Sequence, residues 1–292
     1  MIELPMEPDA VSGADWLELS CLADHPTPIS RSVIVTYLER LGFEYELLST
    51  DIFRHVEWRA SVLPSYPIHI DKSRIRSKCK YTDALQYVFP LLLSTHDLYP
   101  DTTVSNWTHV GGLFELFCTA SLRQLIGNAV LIGNKEYSEF ATDFDECLIE
   151  VCRILNERKG PKHPKSVDFK DAGVDVIAWK NLDKRTGQIV VLAQCASGKN
   201  WRKKGGDIIT KLWRELVFWT VDPIKALAFP YAFDFDSPQA KIEWSFYAYD
   251  SGLLLDRLRL AKSELPNCEI DIDPILAWSD KQMGKIESHK IE

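Results

Sequence analysis

The segment that most restricts the fold is residues 171–204, DAGVDVIAWKNLDKRTGQIVVLAQCASGKNWRKK. Val174, Val176, Ile177 and Trp179 form one apolar run, and Gln188 to Cys195 form a second. Asn181 to Gly187 is a polar turn between them. Short β-branched runs bounded by turn residues predict two strands, joined as a hairpin and buried on both faces. A polar group inside such a strand is costly to bury without a partner. This pair carries two, Asp175 in the first strand and Gln194 near the end of the second. With Lys199 in the basic turn that follows, they read as a site rather than as plain core.

The 292 residues have room for one large domain or two smaller ones, and the 46% apolar content supplies a core. The net charge of −8 argues against a general nucleic-acid coat, so any contact with phosphate must come from local patches. No apolar run approaches the ~18 residues of a membrane span. The N-terminal MIELPMEPDA lacks the basic and apolar regions of a signal peptide, so a cytoplasmic protein is expected. The cysteines at 21, 79, 118, 147, 152, 195 and 268 are scattered and include no CxxC pair. Neither a zinc site nor a disulfide frame is supported, and most of them read as small buried hydrophobes.

Residues 1–10 read as an acidic, proline-bearing tail. Residues 12–48 read as helical, with Ser12 and Ser30 or Ser32 as caps and Gly42 as a stop. A helix-turn-helix reader is disfavoured there, because residues 1–50 hold nine acids and two arginines. Residues 71–80, DKSRIRSKCK, invert that balance. In an extended segment, period two places Lys72, Arg74, Arg76, Lys78 and Lys80 on one face. That face is either a phosphate-tracking stripe or a solvated edge strand. An apolar helix over 81–95 with Pro90 as kink or boundary completes a mainly helical N-terminal domain, 1–100. YPDTT, residues 99–103, is the candidate linker to a second domain at 101–280.

In that second domain, residues 109–127 predict a strong helix carrying Glu115, a position that is also compatible with a solvent face. A strand at 128–133, a helical insertion over 135–159 and an exposed loop at 158–170 precede the hairpin. After it come a helix over 201–220, strands at 226–230 and 242–249, and an amphipathic helix over 251–265. Residues 281–292 read as a polar, frayed tail.

In order, this is a helix with Glu115, a strand, a strand with Asp175, a strand with Gln194, a helix and a strand. The local residues resemble the PD-(D/E)xK, restriction-endonuclease-like family, and are most similar to its Mrr-type branch. That branch has a GxxFE helix, matched by Gly111-Gly112-Leu113-Phe114-Glu115. It has a GVD strand, matched by Gly173-Val174-Asp175, and a third strand ending in glutamine, matched by Leu192-Ala193-Gln194. The resemblance covers 109–230. It implies an α/β restriction-endonuclease-like core, a mixed central sheet flanked by helices, behind the helical N-terminal domain.

The activity implied is metal-dependent phosphodiester hydrolysis, with DNA as the expected substrate. The resemblance makes Asp175, Gln194 and Glu115 the ligands of Mg2+ or Mn2+, a hard cation suited to oxygen donors. Lys199 would orient or activate the attacking water. Arg202, Lys203 and Lys204 at the next helix would hold the phosphate backbone, with Arg74, Arg76 and Lys78 as a second phosphate-contacting group. Family and architecture suggest a homodimer, or a subunit of a complex defending bacteria against foreign DNA. One position departs from the pattern: two residues after Gln194, where the family carries lysine, stands Ala196. If Lys199 does not fold back, the domain binds nucleic acid or serves assembly without cutting. A P-loop around Gly198-Lys199 is a poorer match, since it requires glycine at Ala193 and Ser or Thr at Asn200. Cys195 has no evident histidine partner for nucleophilic catalysis, although His109 and His163 are available.

Overall fold

The computed structural model describes residues 1–4, 9–42, 45–96, 106–132, 136–138, 143–161, 172–265 and 269–290. The N-terminal part is built from α1 (Ala10–Ala23), β1 (Ile29–Ser30), α2 (Arg31–Arg40), α3 (Tyr45–Val62), β2 (Ile68–Ile70), β3 (Arg74–Ser77) and α4 (Leu85–Thr95). Asp9 caps α1, and Ser12, expected as the cap, is the reciprocal partner three residues on in a capping box. Ser30 caps α2, and Gly42 lies just past its end at φ 77°. Pro90 sits inside α4. The strands order as β1-β3-β2, all antiparallel. The basic stripe therefore lies on a central strand: Arg74 and Arg76 are exposed while Ile75 and Ser77 face the core.

The second part begins with α5 (Trp107–Ile126), β4 (Asn128–Leu131), α6 (Phe144–Leu155) and β5 (Arg158–Lys159). It continues with β6 (Val176–Lys180), β7 (Ile189–Cys195), α7 (Thr210–Leu216), β8 (Val217–Phe218), β9 (Ile224–Ala228) and α8 (Pro238–Ser251). β10 (Leu253–Leu255), α9 (Arg257–Leu260) and α10 (Asp273–Glu287) complete it. Five strands form a mixed sheet in the order β10-β9-β7-β6-β4. β4, β6 and β7 are an antiparallel meander, whereas β9 joins β7, and β10 joins β9, in parallel. Alternation sorts the side chains onto two covered faces. Ala178, Ala193, Ala226 and Ala228 give one face small residues, against which Phe114 and Phe117 of α5 pack. Ile177, Trp179, Val190 and Leu192 face α6 and α7, where Leu148, Val151 and Trp213 cover them. The hairpin is thus buried on both faces, as its apolar runs predict.

Several expected elements differ. The strand expected over 242–249 is the middle of α8, which Ser237 caps and Pro238 opens at its first turn. The helix expected over 251–265 is β10 followed by the short α9. Gly252, at φ 78°, makes the break, since a Cβ there would lie 2.3 Å from the Lys225 carbonyl oxygen. The helix expected over 201–220 is a 3-10 turn at Trp201–Lys203, then α7 and β8, interrupted around Gly205-Gly206. Of the helical insertion, the described residues give α6. The polar tail expected over 281–292 is, to Glu287, the second half of α10, because Met283 and Ile286 are buried in the N-terminal core. Ile2 is fully buried as well and pairs with Lys290, so residues 1–4 are not a free tail. The candidate linker 99–103 and most of the loop over 158–170 lie outside the described residues. Among those described, no helix is long and apolar enough to cross a membrane.

The two parts share a core. Ala232, Leu258 and Ala261 of the second part belong to the N-terminal apolar cluster, and Leu85, Phe89 and Leu93 of α4 pack with α5. A buried ionic cluster lies across this junction. Arg59 of α3 donates to Asp15 at 2.6 Å, to Glu18 at 2.9 Å and to Asp234 at 3.1 Å. Arg257 of α9 donates to Asp15 and, at 3.1 Å, to Ser94. Tyr66 and Tyr87 donate to Glu18, and His55 Nδ1 faces Asp234. Burial opposes ionisation of Asp15, but Arg257 and Arg59 outweigh it and hold the carboxyl below its usual value. Asp234 is likewise lowered against its burial, by Arg59 and by a hydrogen bond from His55.

Candidate functional site

The β6–β7 register pairs Val176 with Ala193, so one step further the chain sets Asp175 opposite Gln194 at the open end of the hairpin. The Asp175 N–H donates to the Ala193 carbonyl at 2.9 Å, and its Oδ2 accepts from the Cys195 N–H at 2.7 Å. A backbone N–H bonded to a carboxylate is a charge-assisted contact that fixes the side chain. Gln194 Nε2 donates to Asp207 Oδ2 at 2.8 Å, and Lys204 Nζ reaches the same oxygen at 3.1 Å. The amide's nitrogen is thereby turned to Asp207, with its carbonyl oxygen as the remaining polar atom.

Local backbone explains why this loop meets the strand. Gly173 adopts φ 75°, and a Cβ there would lie 2.3 Å from the Asp207 carbonyl oxygen. The glycine of the GVD motif thus both turns the chain and admits the 205–207 loop. Trp213 Nε1 braces the turn by donating to the Ala172 carbonyl at 3.1 Å.

Glu115 approaches from α5, half-buried, with Cys118 three residues on along the helix. The Cys118 and Cys195 thiols hydrogen-bond to each other, and both feel the charges of Asp175 and Glu115. Burial, with these carboxylates, pushes both thiols up, so they stay protonated near neutral pH. The structure therefore sets Asp175 beside Gln194 at the end of the hairpin, and Glu115 acts with Asp175 on the thiol pair next to it. It adds Asp207 and Cys118, which the sequence does not single out.

The basic residues divide. Lys204, expected on the phosphate, is turned toward Asp207 beside Gln194. Lys199 is exposed in the turn after β7, and Ala196 is buried where the family's lysine would stand. Lys203 is exposed, and Arg202 lies over the rings of Trp201 at 4.7 Å and Tyr247 at 5.9 Å. Arg74 and Arg76 belong to the separate three-stranded sheet, and Lys78, just past β3, donates from Nζ to the Tyr66 carbonyl at 2.9 Å.

Among the described residues, no three His, Cys, Asp or Glu side chains form a ready-made metal cage. The oxygen donors around the hairpin end are two carboxylates and an amide carbonyl, a set that suits a hard cation retaining several waters. No protein-family model, no curated protein and no solved structure matches this chain.

Proposed function

We propose that the protein is a metal-dependent nuclease hydrolysing phosphodiester bonds, with a restriction-endonuclease-like core. The observation that carries this reading is the opposition of Asp175 and Gln194 at the open end of an antiparallel hairpin. Helix α5 with Glu115 precedes that hairpin, and parallel β9 follows it. This succession is the one the family resemblance requires. Asp175, Glu115 and the Gln194 carbonyl would hold Mg2+ or Mn2+. When bound, that ion supplies Lewis-acid polarisation of the phosphate and a lowered pKa for water.

The chain's own residues do the rest. Asp207 orients Gln194 by accepting from its amide nitrogen, which presents the carbonyl oxygen rather than the NH2. Lys204, bonded to the same carboxylate, takes the place of the missing motif lysine as a charge partner near the reacting phosphate. Lys203 stands exposed for backbone contacts, and Arg202 is pre-set by its aromatic neighbours.

A second reading, a binding or assembly subunit without cleavage, is favoured by the buried methyl of Ala196. Incubating the purified protein with plasmid, linear duplex, single-stranded DNA and RNA in magnesium, manganese or chelator separates the two. The nuclease reading expects cutting of at least one substrate in metal and none in chelator. Binding without cutting in any metal establishes the second reading instead.

A further inference from the structure

Between α3 and α8 lies a cavity of about 270 Å³. Its walls include Trp58, Phe233, Phe235 and Trp244, with Arg259 and Lys262 among its lining residues. The rings are set edge to face: Trp244 stands 5.3 Å from Phe233 and 5.8 Å from Phe235. Arg259 stacks over Trp244 at 4.7 Å and is fixed there by donating to the Leu254 carbonyl at 2.7 Å. Lys262 is exposed. The carboxylate in the wall, Asp256, accepts from the backbone N–H groups of Arg259 and Phe233. The size is near the lower limit of small-molecule sites, about 300 Å³, which is room for one ring system.

Helix α8 links a wall of the cavity to the candidate site. Trp244 and Tyr247 are three residues apart on α8, about 4.5 Å along its axis. Arg259 covers the first ring and Arg202 the second. The end of α8 abuts the loop of Lys204 and Asp207, since a Cβ on Gly205 would lie 2.2 Å from Ser251 Oγ. Cations thus run from Lys204 through Arg202 to Arg259 and Lys262, beside rings that are partly open. A basic track with aromatic faces is how proteins hold single strands, because every base has a face to stack while its phosphates need only cations. A paired duplex offers no base to such a pocket.

We propose that the cavity between α3 and α8 receives a base of an unpaired nucleic-acid strand whose phosphates follow Arg259 and Arg202 to the hairpin end. The proposal rests on the reading that nucleic acid is the substrate, and it names the form. The test is anisotropy titration of the full-length protein in chelator, with a labelled oligothymidylate, an abasic strand of equal length and a blunt duplex. The expected order is oligothymidylate tightest. Trp244→Leu should weaken it about tenfold while leaving the abasic strand unchanged. Lys262→Ala, at an exposed position that does not threaten the fold, should weaken both strands and reduce the salt slope by about 0.7. Equal affinity for the oligothymidylate and the abasic strand overturns the proposal, as does a Lys262→Ala protein that binds like the wild type. The same samples assayed in metal keep the two readings apart. Cutting with no effect of the pocket variants on binding removes the pocket and leaves the nuclease. Pocket-dependent binding with no cutting removes the nuclease and leaves the pocket.

Discussion

At the candidate site, one oxygen of Asp207 accepts from both Gln194 and Lys204. Replacing it by alanine frees the Gln194 amide to rotate and strands an ammonium. The loss of a charge-assisted pair at a half-buried position costs about 1–3 kcal/mol of local order. We expect Asp207→Ala to lower cleavage at least tenfold while the fold, followed by circular dichroism, persists. Lys204→Met should lower kcat more than Lys199→Ala, since Lys204 reaches the carboxylate that holds the Gln194 amide. The reverse order in steady-state kinetics would assign the lysine's role to Lys199. Asp175 and Gln194 stood out in the sequence because polar groups in doubly buried strands need partners, and the structure gives each one. Asp207 was not, because it comes from a loop that the local pattern makes part of a helix.

At the scale of elements, the hairpin was readable because short β-branched runs around a polar turn leave few alternatives. Helix α8 was not, since Ile242, Trp244, Phe246 and Tyr247 favour strands locally. The start signal Ser237-Pro238 was there to be read, and it outweighs that propensity. β10 depends on parallel pairing with Ala226 to Ala228, a long-range contact with no local signature. Among the elements, the turn before β6 has the clearest constraint. Gly173→Ala must place a methyl against the Asp207 carbonyl and hold φ 75° on a residue that resists it. The expected cost is at least about 1 kcal/mol in urea unfolding. Cleavage should fall further than stability alone explains, because the 205–207 loop moves with it.

At the scale of the whole molecule, the buried ionic cluster binds the helical part to the sheet. Its arginines, Arg59 and Arg257, are fully buried, against the rule that arginine stays exposed, so charge patterning could not reveal them. Arg59→Met leaves Asp15, Glu18 and Asp234 with too little compensation, and should cost about 3–5 kcal/mol at neutral pH. The sign of the pH dependence follows from the lowered carboxyls. Their stabilisation is complete well above the ordinary carboxyl value of 3.8 and is lost as pH falls through their lower folded values. In Arg59→Met those carboxyls lose the partner that lowers them, so the deficit should be largest near pH 7 and shrink toward pH 4. Urea titrations of both proteins at the two pH values check this, and a deficit independent of pH would mean the arginine acts through packing alone.

If a phosphodiester is cut at the open end of the β6–β7 hairpin, removing the Asp175 carboxylate must abolish cutting. Wild-type protein and Asp175→Ala are incubated with the preferred nucleic acid in magnesium and in manganese, and initial cleavage rates are measured. Metal-dependent cutting by the wild type is expected, with a loss of at least a thousandfold in the variant and thermal unfolding little changed. Cutting by Asp175→Ala at the wild-type rate would contradict it and place the chemistry elsewhere.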